Sequence, residues 1–301
     1  MKVRFWGVRG NVVMPGPYTI RYGGNTSCIE IRGDNNELLI IDAGTGLREL
    51  GMYLTAHDFK QGPIDANILL THAHWDHMQG FPFFAPVIFI PQNQITFYGP
   101  VSDDDNLENV ISGQMNYSYF PVKLDELKAK IRFRNIGEGN FQIGEFEITT
   151  KYLNHPVPAL AYRIQYKDKV VVTMYDTEPY GNDYKKEGME QNPAIIDEYK
   201  RIAREKNEEL VDFARGADLL IHDSQYTKEE YFESRIGWGH SYFEYAVENG
   251  AAADVKMLAL FHLEYEDDKI DALERMSKQY GSDINKDMIV FCAREQLEIE
   301  I

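Results

Sequence analysis

The chain has 301 residues, 44% of them hydrophobic, enough to bury one large core or two small ones. A formal net charge of -17 argues against capture of nucleic acid over a broad positive surface, although bound divalent cations would still let a small anion approach. The two cysteines, Cys28 and Cys292, are too few and too far apart for a disulfide framework. With no apolar leader and no membrane-length stretch, they fit a cytoplasmic protein that does not engage membranes.

In chain order, strands are expected at Val3 to Trp6, Ser27 to Arg32 and Leu38 to Asp42, separated by glycine-rich turns. A helix follows from Thr45 to Ala56, then a strand from Ala66 to Leu70. Next come a strand at Gln94 to Tyr98, a polar helix around Asp105 to Gly113, and strands at Ile131 to Arg134 and Glu145 to Tyr152. Leu160 to Tyr166 and Val170 to Tyr175 pair as a hairpin turned at Lys167-Asp168. A charged helix runs from Ala194 to Ala214, with Ile195, Tyr199, Ile202, Leu210 and Phe213 on its inner side. The remainder reads as a strand at Leu219 to Ile221, a helix at Ser241 to Asn249, a strand at Lys256 to Phe261 and a helix at Lys269 to Tyr280. The interleaving favours α/β, and the absence of a repeat, low-complexity tract or linker favours one domain over residues 1–301.

The chemistry is concentrated in Leu69-Leu70-Thr71-His72-Ala73-His74-Trp75-Asp76-His77. Three imidazoles and a carboxylate directly after an apolar strand are ligands suited to Zn²⁺, Mn²⁺ or Fe²⁺. Four ligands this close strain a single tetrahedral site. If His72 and His74 turn one way and Asp76 and His77 another, they hold two cations side by side, an arrangement that activates water. Three further residues follow strands and could converge there: His155, Asp176 and His262. A carboxylate such as Asp176 can bridge two cations.

The order HxHxDH, His, Asp, His resembles the metallo-β-lactamase superfamily. His72, His74, Asp76, His77, His155, Asp176 and His262 match all seven ligand positions of its dinuclear phosphodiesterase branch. The resemblance implies a four-layer αββα sandwich (α+β by some schemes), with two divalent metals at one edge, zinc ahead of manganese or iron. Ile40-Ile41-Asp42-Ala43-Gly44 resembles a motif whose aspartate orders the ligand loops. His155-Pro156-Val157-Pro158-Ala159-Leu160-Ala161-Tyr162-Arg163, Leu220-Ile221-His222-Asp223-Ser224 and Gly239-His240-Ser241 are similar to ribonuclease Z and its relatives. In that group the histidine matching His240 contacts the scissile phosphate and an acidic residue matching Asp223 orients it. Ser241 to Glu244 also reads as a capping box, which would put His240 just outside a helix N-terminus. His222 is expected just behind the ligands, and His57 on the surface.

Enzymes of that group that process tRNA carry a basic arm between the positions matching His155 and Asp176. Only 20 residues lie between them here, enough for a hairpin alone. With the acidic charge, this makes a nucleic-acid substrate unexpected and leaves small phosphodiesters. Arg4-Phe5-Trp6-Gly7-Val8-Arg9-Gly10 and Tyr22-Gly23-Gly24-Asn25-Thr26-Ser27-Cys28 resemble a bacterial group that includes cyclic-nucleotide phosphodiesterases. The expected reaction is hydrolysis of a cyclic nucleotide to a monophosphate, with Asp76, His240 and Asp223 as catalytic groups. Candidates for the base wall are Phe81, Phe83, Phe84, Tyr117, Tyr119, Tyr226 and Trp238, and Arg9 or Arg21 could reach phosphate. The charged insertion Thr177 to Arg215 could form a lid or a dimer contact, and the resemblance suggests a homodimer. The alternatives are tRNA 3′-end processing, hydrolysis of a lactone or other ester, and a non-catalytic metal- or nucleotide-binding protein.

Overall fold

The computed structural model describes residues 1–100, 106–181 and 193–301. Its strands form two seven-stranded sheets. The first contains β1 (Lys2–Gly7), β2 (Cys28–Arg32), β3 (Leu38–Ile41), β4 (Asp65–Leu69), β5 (Gln94–Gly99) and β6 (Lys130–Asn135). The second contains β7 (Gly139–Ile143), β8 (Phe146–Tyr152), β9 (Leu160–Tyr166), β10 (Lys169–Met174), β11 (Leu219–Asp223), β12 (Met257–Phe261) and β13 (Ile289–Cys292). The last strand, β14 (Glu298–Glu300), returns to pair with β1 in the first sheet. The strand orders are β14-β1-β2-β3-β4-β5-β6 and β13-β12-β11-β10-β9-β8-β7. In each sheet four strands run parallel, β3 to β6 in one and β10 to β13 in the other. Parallel strands covered on both faces need near-continuous apolar runs, and Leu38-Leu39-Ile40-Ile41 and Leu219-Leu220-Ile221 supply them.

Phe5, Ile29, Ile31, Leu39 and Ile41 of the first sheet meet Ile148, Leu160, Tyr162, Ile164, Ile221 and Phe261 of the second to form the central core. The helices are α1 (Gly46–Ala56), α2 (Trp75–Met78), α3 (Leu107–Gly113), α4 (Pro193–Ala214), α5 (Lys228–Glu230), α6 (Phe243–Ala252) and α7 (Asp267–Ile284). Helix α1 places Leu47, Leu50 and Leu54 on one stripe against Ile40, Ile68 and Phe97, covering the outer face of the first sheet. Leu210 and Ala214 of α4, Phe243 and Val247 of α6, and Ile270 and Leu273 of α7 cover the second. The layers are therefore αββα, as the resemblance implies. No helix among the described residues is long and apolar enough to cross a membrane.

Most expected elements appear with ends shifted by a residue or two. Three strands were not anticipated. Strand β7 is largely exposed, and β14, with the sequence Glu-Ile-Glu, is too short to show a pattern. Strand β13, Ile-Val-Phe-Cys, carries an apolar strand signal that was missed and pairs parallel with β12. Helix α4 buries only part of the expected stripe: Leu210 is buried and Phe213 packs beside it. Ile195 and Ile202 stay exposed, while Ala203, Leu210 and Ala214 face inward. Part of the suggested lid, residues 182–192, and Asp105 of the polar helix lie outside the described residues.

Candidate metal centre

The centre forms where the carboxyl ends of parallel strands from both sheets meet, the usual place for a crevice in α/β sheets. Strand β4 runs into Leu70 and Thr71 and delivers His72, His74, Asp76 and His77. Strand β8 leads to His155, β10 to Asp176, β11 to Asp223 and β12 to His262. All seven expected ligands come together. The ligand atoms of His72, His74, His155 and Asp176 lie within 4.8 Å of one another, as do those of Asp76, His77 and His262.

Asp176 stands between the two groups. Its Oδ2 is 3.3 Å from His72 Nε2, and its Oδ1 is 3.2 Å from His77 Nε2 and 3.3 Å from His262 Nε2. Asp76 Oδ2 is 3.1 Å from His262 Nε2 and 3.3 Å from His77 Nε2. On the other side His155 Nε2 is 3.2 Å from His74 Nδ1. His72 Nε2, His77 Nε2 and Asp176 Oδ1 are buried without a hydrogen-bond partner. Three orphaned polar atoms aimed at one place are costly unless a cation joins them. The residues therefore fit two divalent cations, one on each side of Asp176. The donor set, imidazole and carboxylate, does not choose among zinc, manganese and iron.

The outward nitrogen of each buried histidine is fixed in turn, which sets the ring that faces the centre. His77 Nδ1 bonds Asp42 Oδ2 at 2.6 Å, His72 Nδ1 meets Thr71 Oγ1 at 3.1 Å, and His155 Nδ1 meets the Gly239 carbonyl at 3.0 Å. His262 Nδ1 lies 3.2 Å from Gln225 Oε1. Asp42 also accepts from the Thr71 N–H at 2.7 Å and from Ser27 Oγ at 3.1 Å, the loop-ordering role read from its motif. Asp42, Asp176 and His262 have φ values of 61°, 24° and 65°. Left-handed backbone at non-glycine residues is strained, and here it sits on the residues that build the centre.

Charge divides the centre. Burial drives the His74 and His155 imidazoles down, to about 4 and about 3. Burial pushes His72 down as well, and His77 adds to it. Burial also opposes charge on His262, but Asp176 and Asp76 outweigh it and hold the ring up at about 9. His77 is held well up by Asp176, Asp76 and Asp42 against the same burial. Asp76 and Asp176 are correspondingly depressed, with neighbouring histidines overcoming their burial.

His240 is buried, with its ring stacked on His262 at 4.8 Å between centroids. Its Nδ1 meets Asp223 Oδ2 at 3.0 Å, leaving Nε2 free. Asp223 is held by the N–H groups of Thr177, Gln225 and Ser241. The expected pair is thus in place, though not through a capping box. Ser241 Oγ donates to the Thr177 carbonyl at 2.5 Å, and Tyr242 is the N-cap of α6, without a side-chain cap bond.

Several other expectations need correcting. His222 faces the helix layer, with Nε2 3.3 Å from Asn249 Nδ2 and its ring beside Tyr245, so it is not behind the ligands. Arg9 is wholly buried and donates to the carbonyls of Gly23, Leu263 and Tyr265, leaving no reach to phosphate. Arg21 is taken up by Asp267, Asp268 and Asp271. Phe81 and Phe84 belong to the core. Of the aromatic candidates, Tyr226 lies beside His240, 6.2 Å between centroids, and Trp238 is 53% exposed two residues before it.

Sequence reasoning missed the N-terminal wall. The Asn11 N–H donates to Asp76 Oδ2 at 2.8 Å, and the His262 N–H to the Val8 carbonyl at 3.1 Å. A Cβ on Gly10 would lie 2.1 Å from His262 Nδ1, so only glycine fits there. The signal was present in the Gly-rich opening, without a partner to point to.

Residues 21–92 match the family model described as the metallo-beta-lactamase superfamily. The Ribonuclease Z of Thermococcus kodakarensis is 30% identical over 268 residues, covering 79% of this chain and 80% of that protein. The Ribonuclease Z of Thermoplasma acidophilum is 27% identical over 222 residues, covering 65% and 68%. Among solved structures, the metallo-beta-lactamase fold protein YhfI from Bacillus subtilis superposes with a TM-score of 0.66 at 18% identity, covering 100% of this chain and 98% of the other. The short form of human tRNase Z gives 0.62 at 19%, covering 100% and 99%. Unliganded yeast PDE1 gives 0.59 at 14%, covering 100% and 99%. These structural likenesses bear on the fold alone. The relatives' name runs against the expectation that nucleic acid is not a substrate. With ligands, fold and identity in agreement over most of its length, the chain belongs to the metallo-beta-lactamase superfamily, among the relatives of ribonuclease Z.

Proposed function

We propose that this chain hydrolyses a small phosphodiester, foremost a cyclic nucleotide, at a centre of two divalent cations, zinc ahead of manganese or iron. The observation that carries the reading is Asp176, whose two carboxylate oxygens each face a separate set of histidines. Cations held there supply a water acidic enough to attack near neutral pH and neutralise charge on the phosphoryl oxygens. His72, His74 and His155 would hold one cation, and Asp76, His77 and His262 the other. Asp76, whose Oδ2 is fixed by the Asn11 N–H and would help hold the second cation, could receive the proton of the attacking water at its other oxygen. His240, oriented by Asp223, presents Nε2 to the phosphate and can protonate the leaving oxygen.

A small substrate is supported by the chain between His155 and Asp176, which is spent on the β9–β10 hairpin. The second reading, cleavage of RNA at a 3′ end, is favoured by the 30% identity to a protein named Ribonuclease Z. One assay separates them. The metal-loaded protein is offered 3′,5′- and 2′,3′-cyclic nucleotides and a precursor tRNA with a 3′ trailer, with H74A as control. Monophosphate release that H74A abolishes supports the first reading, and trailer removal alone supports the second. No turnover of either, with metal bound, would sink both.

A further inference from the structure

Glu178 lies two residues beyond Asp176, is 5% exposed, and forms no ion pair among the described residues. Its carboxylate is instead satisfied by three donors from one loop. Oε1 accepts from Tyr231 Oη at 2.7 Å and from the Gly237 N–H at 2.6 Å, and Oε2 accepts from the Gly239 N–H at 2.9 Å. A buried carboxylate without a counter-ion is an expensive way to fasten a loop unless the loop must be held closely.

The loop has reason to be held. It begins as a single π-helical turn, Tyr231–Arg235, and reaches His240 through Gly237-Trp238-Gly239. Gly237 and Gly239 have φ values of 81° and 83°, open to glycine at little cost. Gly239 is engaged at both ends of its peptide groups, its N–H by Glu178 and its carbonyl by His155 Nδ1 at 3.0 Å. It also packs against the His155 ring, where a Cβ would come within 2.5 Å of Nδ1. The Glu178 N–H in turn donates at 2.9 Å to the carbonyl of Asn154, the residue before His155. Glu178 thus touches His155 from two directions, through the chain before it and through the acceptor of its outward nitrogen.

We propose that Glu178 is a positioning residue that sets the His155 ring toward the cation on its side of Asp176 and, one residue past the second glycine, aims His240. The inference rests on His155 and His240 serving the proposed centre, and not on which phosphodiester is cleaved.

The two carboxylate oxygens can be separated by mutation. In Glu178→Gln, one oxygen can still serve Tyr231 and Gly237, but an amide NH2 then confronts the Gly239 N–H. Tyr231→Phe removes a donor to Glu178 and leaves Gly239 bonded. Glu178→Asp keeps both acceptors but shortens their reach by one methylene. The readouts are cation stoichiometry and affinity by competition with a chromogenic chelator, kcat and KM on bis(p-nitrophenyl) phosphate, and melting of the metal-free protein.

E178Q is expected to weaken the cation on the His155 side by about 10- to 100-fold and to lower kcat more than it raises KM, while Y231F keeps wild-type affinity. E178D is expected to fall between. If E178Q does not fold, E178D carries the test, since lowered cation affinity with unchanged melting supports the proposal. E178Q or E178D with wild-type affinity and kcat would overturn it, as would equal damage in E178Q and Y231F, which would make Glu178 a structural staple only. A wild-type protein that binds no cation would instead defeat the metal-centre reading itself.

Discussion

The two sides of Asp176 are built from similar ligands and differ in their surroundings. On one side, His72, His74 and His155 have Asp176 as their carboxylate, and His74 and His155 are partly open to solvent. On the other, His77 and His262 are wholly buried among Asp76 and Asp176, with Asp42 behind His77. Burial dominates the first side and keeps its imidazoles neutral. Carboxylates dominate the second and keep its imidazoles charged until a cation replaces the protons. Similar residue types thus give an open site of neutral imidazoles and a closed one in which charged imidazoles are paired with carboxylates. Local charge decides which cation is held first and how binding depends on pH.

The largest effect should come from removing the group the sides share. Asp176→Ala is expected to abolish turnover and leave at most one cation per chain, measured by elemental analysis after gel filtration. Two cations with normal turnover would end the bridging assignment. Next, His240→Ala should keep both cations and lose about 10²- to 10⁴-fold in kcat, as expected for a group that handles a proton. Full turnover in that variant would remove His240 from the chemistry. Asp42→Asn removes the acceptor of His77 Nδ1 and should weaken the closed-side cation by about 10- to 100-fold, more than it weakens the open-side cation, which Asp42 reaches only through Thr71 and His72, in a two-site chelator titration.

The pH dependence separates the sides most finely. His262 rises to about 9 without a cation, so it carries a proton at neutral pH that binding must expel. With His77 held up as well, binding expels up to two protons, so closed-side affinity should climb about tenfold per unit for each, about a hundredfold in all, as pH rises toward 9. The imidazoles of His74 and His155, at about 4 and about 3, are already neutral, so open-side affinity should be flat above about pH 5. Calorimetry in buffers of different ionisation enthalpy reads the expelled protons directly. Equal proton release from both sides would contradict the comparison.

Much of this centre was legible in the chain. The HxHxDH run after Ile68-Leu69-Leu70 announced metal, and His155, Asp176 and His262 could be picked because each follows an apolar strand. Residues such as Gln225, Asn11 and Glu178 could not. Each acts through a backbone group or a ring nitrogen that only the fold brings near, and a glutamine or glutamate in a loop carries no pattern of its own. His222 shows the converse error. It sits in the right motif, but strand alternation turns its side chain to the helix face.

The sequence by itself determined the ligand types, their order and an α/β pattern of elements, because apolar runs specify strands and ligand chemistry is local; the four-layer sandwich came only through the resemblance its motifs carry. The tertiary structure decided which oxygen of Asp176 faces which histidines, which side of the centre is closed, and which buried groups fix each ring. Those follow from short contacts between residues far apart in the chain, such as Asp76 and His262, 186 positions apart with 3.1 Å between Oδ2 and Nε2, and the burial that sets each charge exists only once the two sheets have packed.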